Sequence, residues 1–202
     1  EVEPPPRSRA GASGNRIRFA TGRVTNMGDT ADVVIAFNDQ VPYSRVDVGA
    51  FREGTQIFLE SKWATDADPA IQKQYADAVA DFRSRGYVVH EVPMEAECLK
   101  ILPDPRRGKN MWVVGFLCAM YSRSLDRAAD EVRRKFGKKS QDLVKVNLDL
   151  LQAGHDWCAA HIPMRFDVPV EADSVTRVVM NGNQAIALGS MAAGMELCSM
   201  YP

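Results

Sequence analysis

An α/β fold around a mostly parallel sheet is the expectation from this sequence, and three features of the pattern carry it. Residues 31–37, Ala-Asp-Val-Val-Ile-Ala-Phe, form a short apolar run that is β-branched at its centre, as suits a strand covered on both faces. Asp68-Pro69 opens a stretch in which Ile71, Tyr75, Ala78, Val79 and Phe82 recur at helical spacing. Apolar runs at 56–60 and 87–92 bracket that helix, so strands and helix alternate as in parallel βαβ units. At 202 residues, with 46% hydrophobic and 25% charged side chains, the chain can bury a core; disorder and a small disulfide scaffold are excluded.

The elements follow in order. Residues 4–14 read as an extended loop carrying Arg7 and Arg9. Residues 15–20 alternate basic with apolar (Arg16, Ile17, Arg18, Phe19), the period-2 signature of a half-exposed strand. The run at 31–37 is the next strand, and Gly54-Thr55 introduces the one at 56–60. The helix begun at Asp68 ends at Gly86, and 87–92 is a further strand. After Pro103-Asp104-Pro105 come three helices. The first, 109–121, is apolar nearly all round and belongs in a core. The second runs from an N-capping Ser124 to Phe136 and stops at Gly137. The third is capped by Ser140, continues to about residue 162, and presents Leu143, Val146, Asn147, Leu150, Leu151 and Gly154 on one face. Residues 163–174 have a linker's composition, 175–180 read as a strand, and a small-residue helix follows over 184–195, with Gly189, Ala192, Ala193 and Gly194 spaced for close packing. The domain boundary falls near residue 168, giving segments 1–167 and 168–202.

Charge and cysteine usage narrow the function classes. With 25 basic and 26 acidic side chains the net charge is −1, so bulk electrostatics give no reason to expect a nucleic-acid or membrane partner. The longest apolar run, 111–121, falls short of the roughly 18 residues that a membrane span needs. Cys98, Cys118, Cys158 and Cys198 form no C-x-x-C pair, and the expectation is buried free thiols in a reducing cytoplasm rather than metal ligands. The chain opens at Glu1 on a proline-rich stretch and closes at Tyr201-Pro202 directly after an apolar helix, which reads as an internal piece of a longer polypeptide.

Several sequences could bind a ligand, and each has a plainer explanation. Arg7, Ser8, Arg9, Gly11, Ser13 and Gly14 combine arginines with exposed amides, as phosphate or carboxylate recognition requires; a solvated basic loop has the same composition. Asn181-Gly182-Asn183-Gln184-Ala185 could present helix-start amides to an anion, or simply cap the helix. Gly108-Lys109-Asn110 shares that ambiguity and lacks the full P-loop pattern. Arg133, Arg134, Lys135, Lys138 and Lys139 fit a solvated helix end better than a binding patch. His90, His155 and His161 make no metal-ligand or triad spacing. The residues alone give an α/β binding domain joined to the start of another, without a complete catalytic site.

The stretch from Asn181 to Gly194, Asn-Gly-Asn-Gln-Ala-Ile-Ala-Leu-Gly-Ser-Met-Ala-Ala-Gly, followed by Tyr201-Pro202, resembles the opening of the α-subunit catalytic domain of 2-oxoacid:ferredoxin oxidoreductases, with Gln184 in place of the usual Glu. Upstream, Pro5-Pro6-Arg7, Ala10-Gly11-Ala12-Ser13-Gly14 and Gly108-Lys109-Asn110-Met111-Trp112-Val113-Val114-Gly115 resemble the γ domain fused ahead of it in the two-subunit 2-oxoglutarate enzymes. The resemblance implies a γ domain over 1–167, lacking the family's glycine-rich first turn, and over 168–202 a linker plus the first strand-helix unit of a thiamine-diphosphate-type α/β domain. It implies conversion of 2-oxoglutarate, CoA and oxidised ferredoxin to succinyl-CoA, CO2 and reduced ferredoxin. Thiamine diphosphate with Mg2+ and a [4Fe-4S] cluster would be held mainly by a β subunit, in an (αβ)2 cytoplasmic assembly. Arg7, Ser8, Arg9, Gly11 and Ser13 would contact CoA, and Tyr201 and Pro202 would begin the thiamine and substrate pocket. No catalytic residue and no metal ligand is expected within the segment. The competing expectations are pyruvate or another 2-oxoacid as substrate, a non-catalytic γ-like interaction or CoA-binding module, and a nucleotide-binding regulator.

Overall fold

A computed structural model describes residues 14–22, 24–104, 107–138, 140–169, 178 and 180–199. The chain divides into two compact units, Glu1–Val168 and Pro169–Pro202.

The first unit is built on three strands, β1 (Ala31–Ala36), β2 (Phe51–Glu60) and β3 (Val88–Val92), all parallel in the order β1-β2-β3. Alternation along the strands serves two apolar layers. Val34 and Ala36 of β1 with Ile57 and Leu59 of β2 face a layer formed by α1 (Gln40–Val46) and α2 (Pro69–Ser84), where Tyr75, Ala78, Val79 and Phe82 are buried as the helical spacing predicts. Val33, Ile35 and Phe58 face the other way, onto α3 (Met94–Leu99), α4 (Lys109–Met120) and α6 (Gln141–His161). The sheet is therefore covered on both faces, as the β-branched run at 31–37 requires. Helix α5 (Leu125–Phe136) packs on α6 and buries only Val132.

Local chemistry sets the helix limits. The Asp68 carboxylate accepts from Ala70 N with Pro69 in the first turn, and the Ser124 and Ser140 hydroxyls cap α5 and α6. Helix α2 ends with Gly86 at φ +81° and the bonds Tyr87 N to Phe82 O (3.1 Å) and Gly86 N to Arg83 O (3.0 Å), a Schellman closure. Helix α4 closes in the same way, but Ser122 occupies the left-handed position at φ +51°.

Glycines decide how closely α4 and α6 approach. A β-carbon on Gly115 would lie 1.8 Å from Leu151 O, and one on Gly154 1.8 Å from Trp112 O. Each helix thus places its backbone against a glycine of the other. The buried face of α6 includes Val144, Asn147, Leu150, Leu151, Gly154 and Cys158; Leu143, expected on that face, is 39% exposed and Val144 takes its place.

Residues 15–20 differ from expectation: among the described residues they pair with no strand. Alternation sets the side-chain period, but a strand also needs a backbone partner. The segment is anchored instead by Phe19, edge-on to Tyr121 at 4.8 Å with the Arg123 guanidinium 5.7 Å above its ring. Residues 163–168, expected to be linker, dock on the first unit. Phe166 N donates to Met120 O at 2.9 Å, Arg123 donates to Val168 O, and Arg165 donates to Cys158 and Ala159 carbonyls at the end of α6. Short α1 and α3 and the 3₁₀ turn Ser61–Thr65 were not anticipated; each is too brief to show a helical period.

In the second unit, α7 (Gly182–Ala192) starts with a full capping box: Gln184 N donates to Asn181 Oδ1, and Asn181 N donates to Gln184 Oε1, both at 2.9 Å. Glutamine performs this role as glutamate does. The helix ends sooner than the expected residue 195, because Gly194 at φ +89° forms another Schellman closure, with Met195 N donating to Ser190 O. Most of the strand expected at 175–180 (175–177 and 179) lies outside the described residues.

Candidate functional site

Open α/β sheets bind ligands outside the carboxyl ends of their strands, and here those ends are joined by a charge network. Glu60, the last residue of β2, shares the face of Phe58, so alternation turns its carboxylate inward toward the start of α4; its side chain is 0% exposed. One oxygen accepts from Lys62 N at 3.1 Å and the other from Glu95 N at 2.9 Å, so the carboxylate caps both the 3₁₀ turn and the start of α3. Lys109, in the first turn of α4, sets Nζ 3.8 Å from Glu60, 2.9 Å from Glu95 and 5.4 Å from the centre of the Phe37 ring beyond β1. Lys62 reaches the same Glu95 carboxylate at 3.0 Å and lies over the Trp63 ring. Trp63 Nε1 donates to Phe37 O at 2.8 Å.

Two carboxylates and two ammonium groups balance one another here. Burial pushes the Glu60 carboxyl up, against the pull of the Lys62 amide and of Lys109. Burial also acts on Glu95, but hydrogen bonds from Lys109 and Lys62 outweigh it and hold that carboxyl below the usual range. Cys98, close enough to feel these charges, is pushed up to about 12 chiefly by burial and is no thiolate nucleophile. The network locks three strand ends to α3 and α4; it is a scaffold rather than an acid–base pair. Sequence reading singled out Lys109 but missed Glu60, Lys62 and Glu95. A lone acid ending an apolar strand was the available signal for Glu60.

The other candidates are separated in space or paired. Arg7, Ser8, Arg9, Gly11, Ser13, Tyr201 and Pro202 lie outside the described residues. The helix-start amide of Gln184 is used in the capping box. Arg133 pairs with Asp130 and Arg134 with Glu131, as a solvated helix end would. His90 stacks on Phe58 at 4.6 Å and donates to Gln56 Oε1, His155 lies by Asp156, and His161 donates to Trp157 O. A surface hollow of about 650 Å³ between α1 and α2 has polar walls, where Gln74 is paired with Asp39 and Lys73 with Asp77. Cys98, Cys118 and Cys158 are buried free thiols, whereas Cys198, expected to be buried, is exposed. Among the described residues no three His, Cys, Asp or Glu converge to hold a metal ion, and no helix is long and apolar enough to cross a membrane.

Comparison with known proteins adds the family. Residues 3–157 match the model of the pyruvate ferredoxin/flavodoxin oxidoreductase family. The chain is 26% identical over 206 residues to the 2-oxoglutarate oxidoreductase subunit KorA of Mycobacterium tuberculosis, a match covering 96% of this chain and 31% of that protein. Its fold is similar to a 2-oxoglutarate:ferredoxin oxidoreductase from Magnetococcus marinus, solved with 2-oxoglutarate, coenzyme A and succinyl-CoA bound, with TM-score 0.64 and 25% identity, over 87% of this chain and 28% of that one. The chain therefore spans less than a third of the length of these relatives. With the family model covering most of its length, and with the parallel sheet and its helical layers reproduced in a solved oxidoreductase, this chain belongs to the pyruvate ferredoxin/flavodoxin oxidoreductase family.

Proposed function

We propose that the chain serves in a 2-oxoacid:ferredoxin oxidoreductase whose substrate is 2-oxoglutarate, converted with CoA and oxidised ferredoxin to succinyl-CoA, CO2 and reduced ferredoxin. The observation that carries this reading is the agreement of the two relatives: one is named a 2-oxoglutarate oxidoreductase subunit, and the other was solved with 2-oxoglutarate, CoA and succinyl-CoA. On this reading segment 1–167 is the γ domain and 168–202 opens the catalytic domain.

Within the chain, Arg7 and Arg9 are assigned to the CoA phosphates, with Ser8, Gly11 and Ser13 supplying hydroxyl and amide donors. Tyr201 and Pro202 begin the wall of the substrate pocket. The described cysteines do not fit an iron–sulfur cluster. Cys98 and Cys158 are pushed up to about 12 and about 11 by burial, and among the described residues no three His, Cys, Asp or Glu side chains converge to hold a metal ion. The iron–sulfur cluster is assigned to a β subunit. Thiamine diphosphate with Mg2+ supplies the electron sink of the decarboxylation and is assigned mainly to the same partner. The Glu60–Lys109 network ties the end of β2 to the starts of α3 and α4.

The test is CoA-dependent reduction of ferredoxin or a low-potential dye by the full-length chain produced with its partner subunit, comparing 2-oxoglutarate with pyruvate. Turnover with 2-oxoglutarate is expected. The family description names pyruvate, which makes it the competing substrate; turnover with pyruvate alone would replace the substrate and keep the reaction. No turnover with any 2-oxoacid, from a complex shown to carry thiamine diphosphate and cluster, would leave a CoA-binding or interaction module.

A further inference from the structure

Two stretches far apart in sequence dock on one turn at the end of α4. Tyr121, Ser122 and Arg123 form that turn. Its backbone is closed by Tyr121 N donating to Leu117 O (3.0 Å) and Arg123 N to Cys118 O (2.8 Å), with Ser122 left-handed between them. Residues 15–20 reach the turn through Phe19. Residues 163–168, a strap that ends the first unit just before Pro169 begins the second, reach it through Phe166 and Val168.

Tyr121 and Arg123 each touch both stretches. The Tyr121 ring meets Phe19 edge-on at 4.8 Å and 76°, and stacks with Phe166 at 5.1 Å and 23°. The Arg123 guanidinium lies 5.7 Å from the centre of the Phe19 ring and donates to Val168 O. Backbone adds a bond on the strap side, Phe166 N to Met120 O at 2.9 Å. Side chains held from two sides lose their rotamer freedom once for two sets of contacts. When one stretch leaves, the other must order both side chains by itself, and its own docking weakens. Residues 15–20 are suited to leave: among the described residues they pair with no strand, and Phe19 is 42% exposed.

We propose that the Tyr121–Arg123 turn is a latch coupling the two stretches: undocking of residues 15–20 loosens the strap that leads into the second unit, and undocking of the strap loosens residues 15–20. Arginine suits the position, because a planar guanidinium can lie over a ring and donate to a carbonyl at the same time. The coupling acts equally in both directions, as a free energy shared between two events must.

The test reads each stretch while the other is altered, in the full-length chain. Amide hydrogen exchange at Phe166 reports the strap, and tryptic cleavage after Arg18 reports residues 15–20. Phe19→Ala, a change on the opposite stretch, is expected to speed exchange at Phe166 about fivefold, the loss of one aromatic pair. Arg123→Met should speed it about tenfold, the loss of one charge-assisted hydrogen bond, and Arg123→Lys by less, since an ammonium can still donate to Val168 O. In the reverse direction, Phe166→Leu, which keeps an apolar side chain in place, should speed cleavage after Arg18 by a similar factor. Exchange at Leu151, in the core of α6, should stay at the parent rate throughout. An unchanged rate at Phe166 in Phe19→Ala, or after Arg18 in Phe166→Leu, overturns the coupling. Acceleration at Leu151 equal to that at Phe166 marks general loosening of the unit and also overturns it.

Discussion

Helices α4 and α7 are close in composition and opposite in environment. Both are apolar with a glycine inside, and α7 carries no charged residue at all. In α4 the glycine is pressed onto a neighbour's backbone, and Trp112, Phe116 and Met120 are buried. In α7, a β-carbon on Gly189 would meet nothing within 4 Å, and Ile186 and Met191 are 69% and 64% exposed. A glycine in an apolar helix is thus a steric requirement in one unit and a conformational cost in the other.

The contrast breaks most visibly at the tight crossing. Gly115→Ala or Gly154→Ala should lower the stability of the first unit by more than about 3 kcal/mol, because the added methyl meets a carbonyl that belongs to a helix and cannot step aside. Denaturant unfolding followed by circular dichroism measures the loss, and a loss below 1 kcal/mol would mean that the two helices slide apart easily.

Lys109→Met, at the start of α4, should cost about 2 kcal/mol. It strands the buried Glu60, although two backbone amides still serve that carboxylate. The pH dependence has a defined sign. Glu60 has a folded pKa above its unfolded value, so its contribution is full below the ordinary carboxyl range and is lost as pH rises through the raised value. Removing Lys109 raises that value further, so the variant should lose more stability at neutral pH than near pH 4. Glu95 acts oppositely. Its folded pKa is depressed, so its contribution is present above the ordinary carboxyl range and is lost as pH falls through the lowered value. The deficit of Glu95→Gln against the parent should therefore close on acidification. Melting temperatures at pH 4 and pH 7 check both variants, each of which should show its larger deficit at pH 7.

Ser122→Gly, at the end of α4, should stabilise by about 1 kcal/mol, since φ +51° carries a penalty that glycine escapes. The smallest effect completes the comparison. Gly189→Ala in the 202-residue chain should add a few tenths to about 1 kcal/mol of helix stability without a clash. A destabilisation there would show that α7 is as tightly approached as α4.

Helix limits were legible wherever one side chain performs one job, as Asp68, Ser124, Ser140 and Gly86 show. Local hydrogen bonds set those boundaries, and local sequence contains them. The strand expected at 15–20 failed because alternation says nothing about a backbone partner. On α6, Val144 rather than Leu143 is in helical register with the buried series Asn147, Leu151, Gly154 and Cys158. The site divided in the same way. Lys109 stood out in a glycine-flanked helix start, but Glu60, Lys62 and Glu95 converge only after β2 and β3 align in register. The family was legible in the motifs, because its signature runs through continuous stretches of chain.

Trp112 is fully buried, and its indole Nε1 has no hydrogen-bond partner among the described residues, whereas Trp63 donates to a carbonyl. An indole in a dry, apolar setting fluoresces at short wavelength and shifts to the red when water reaches it. The core between α4 and α6 thus contains its own optical gauge, able to report the opening of that crossing without a dye.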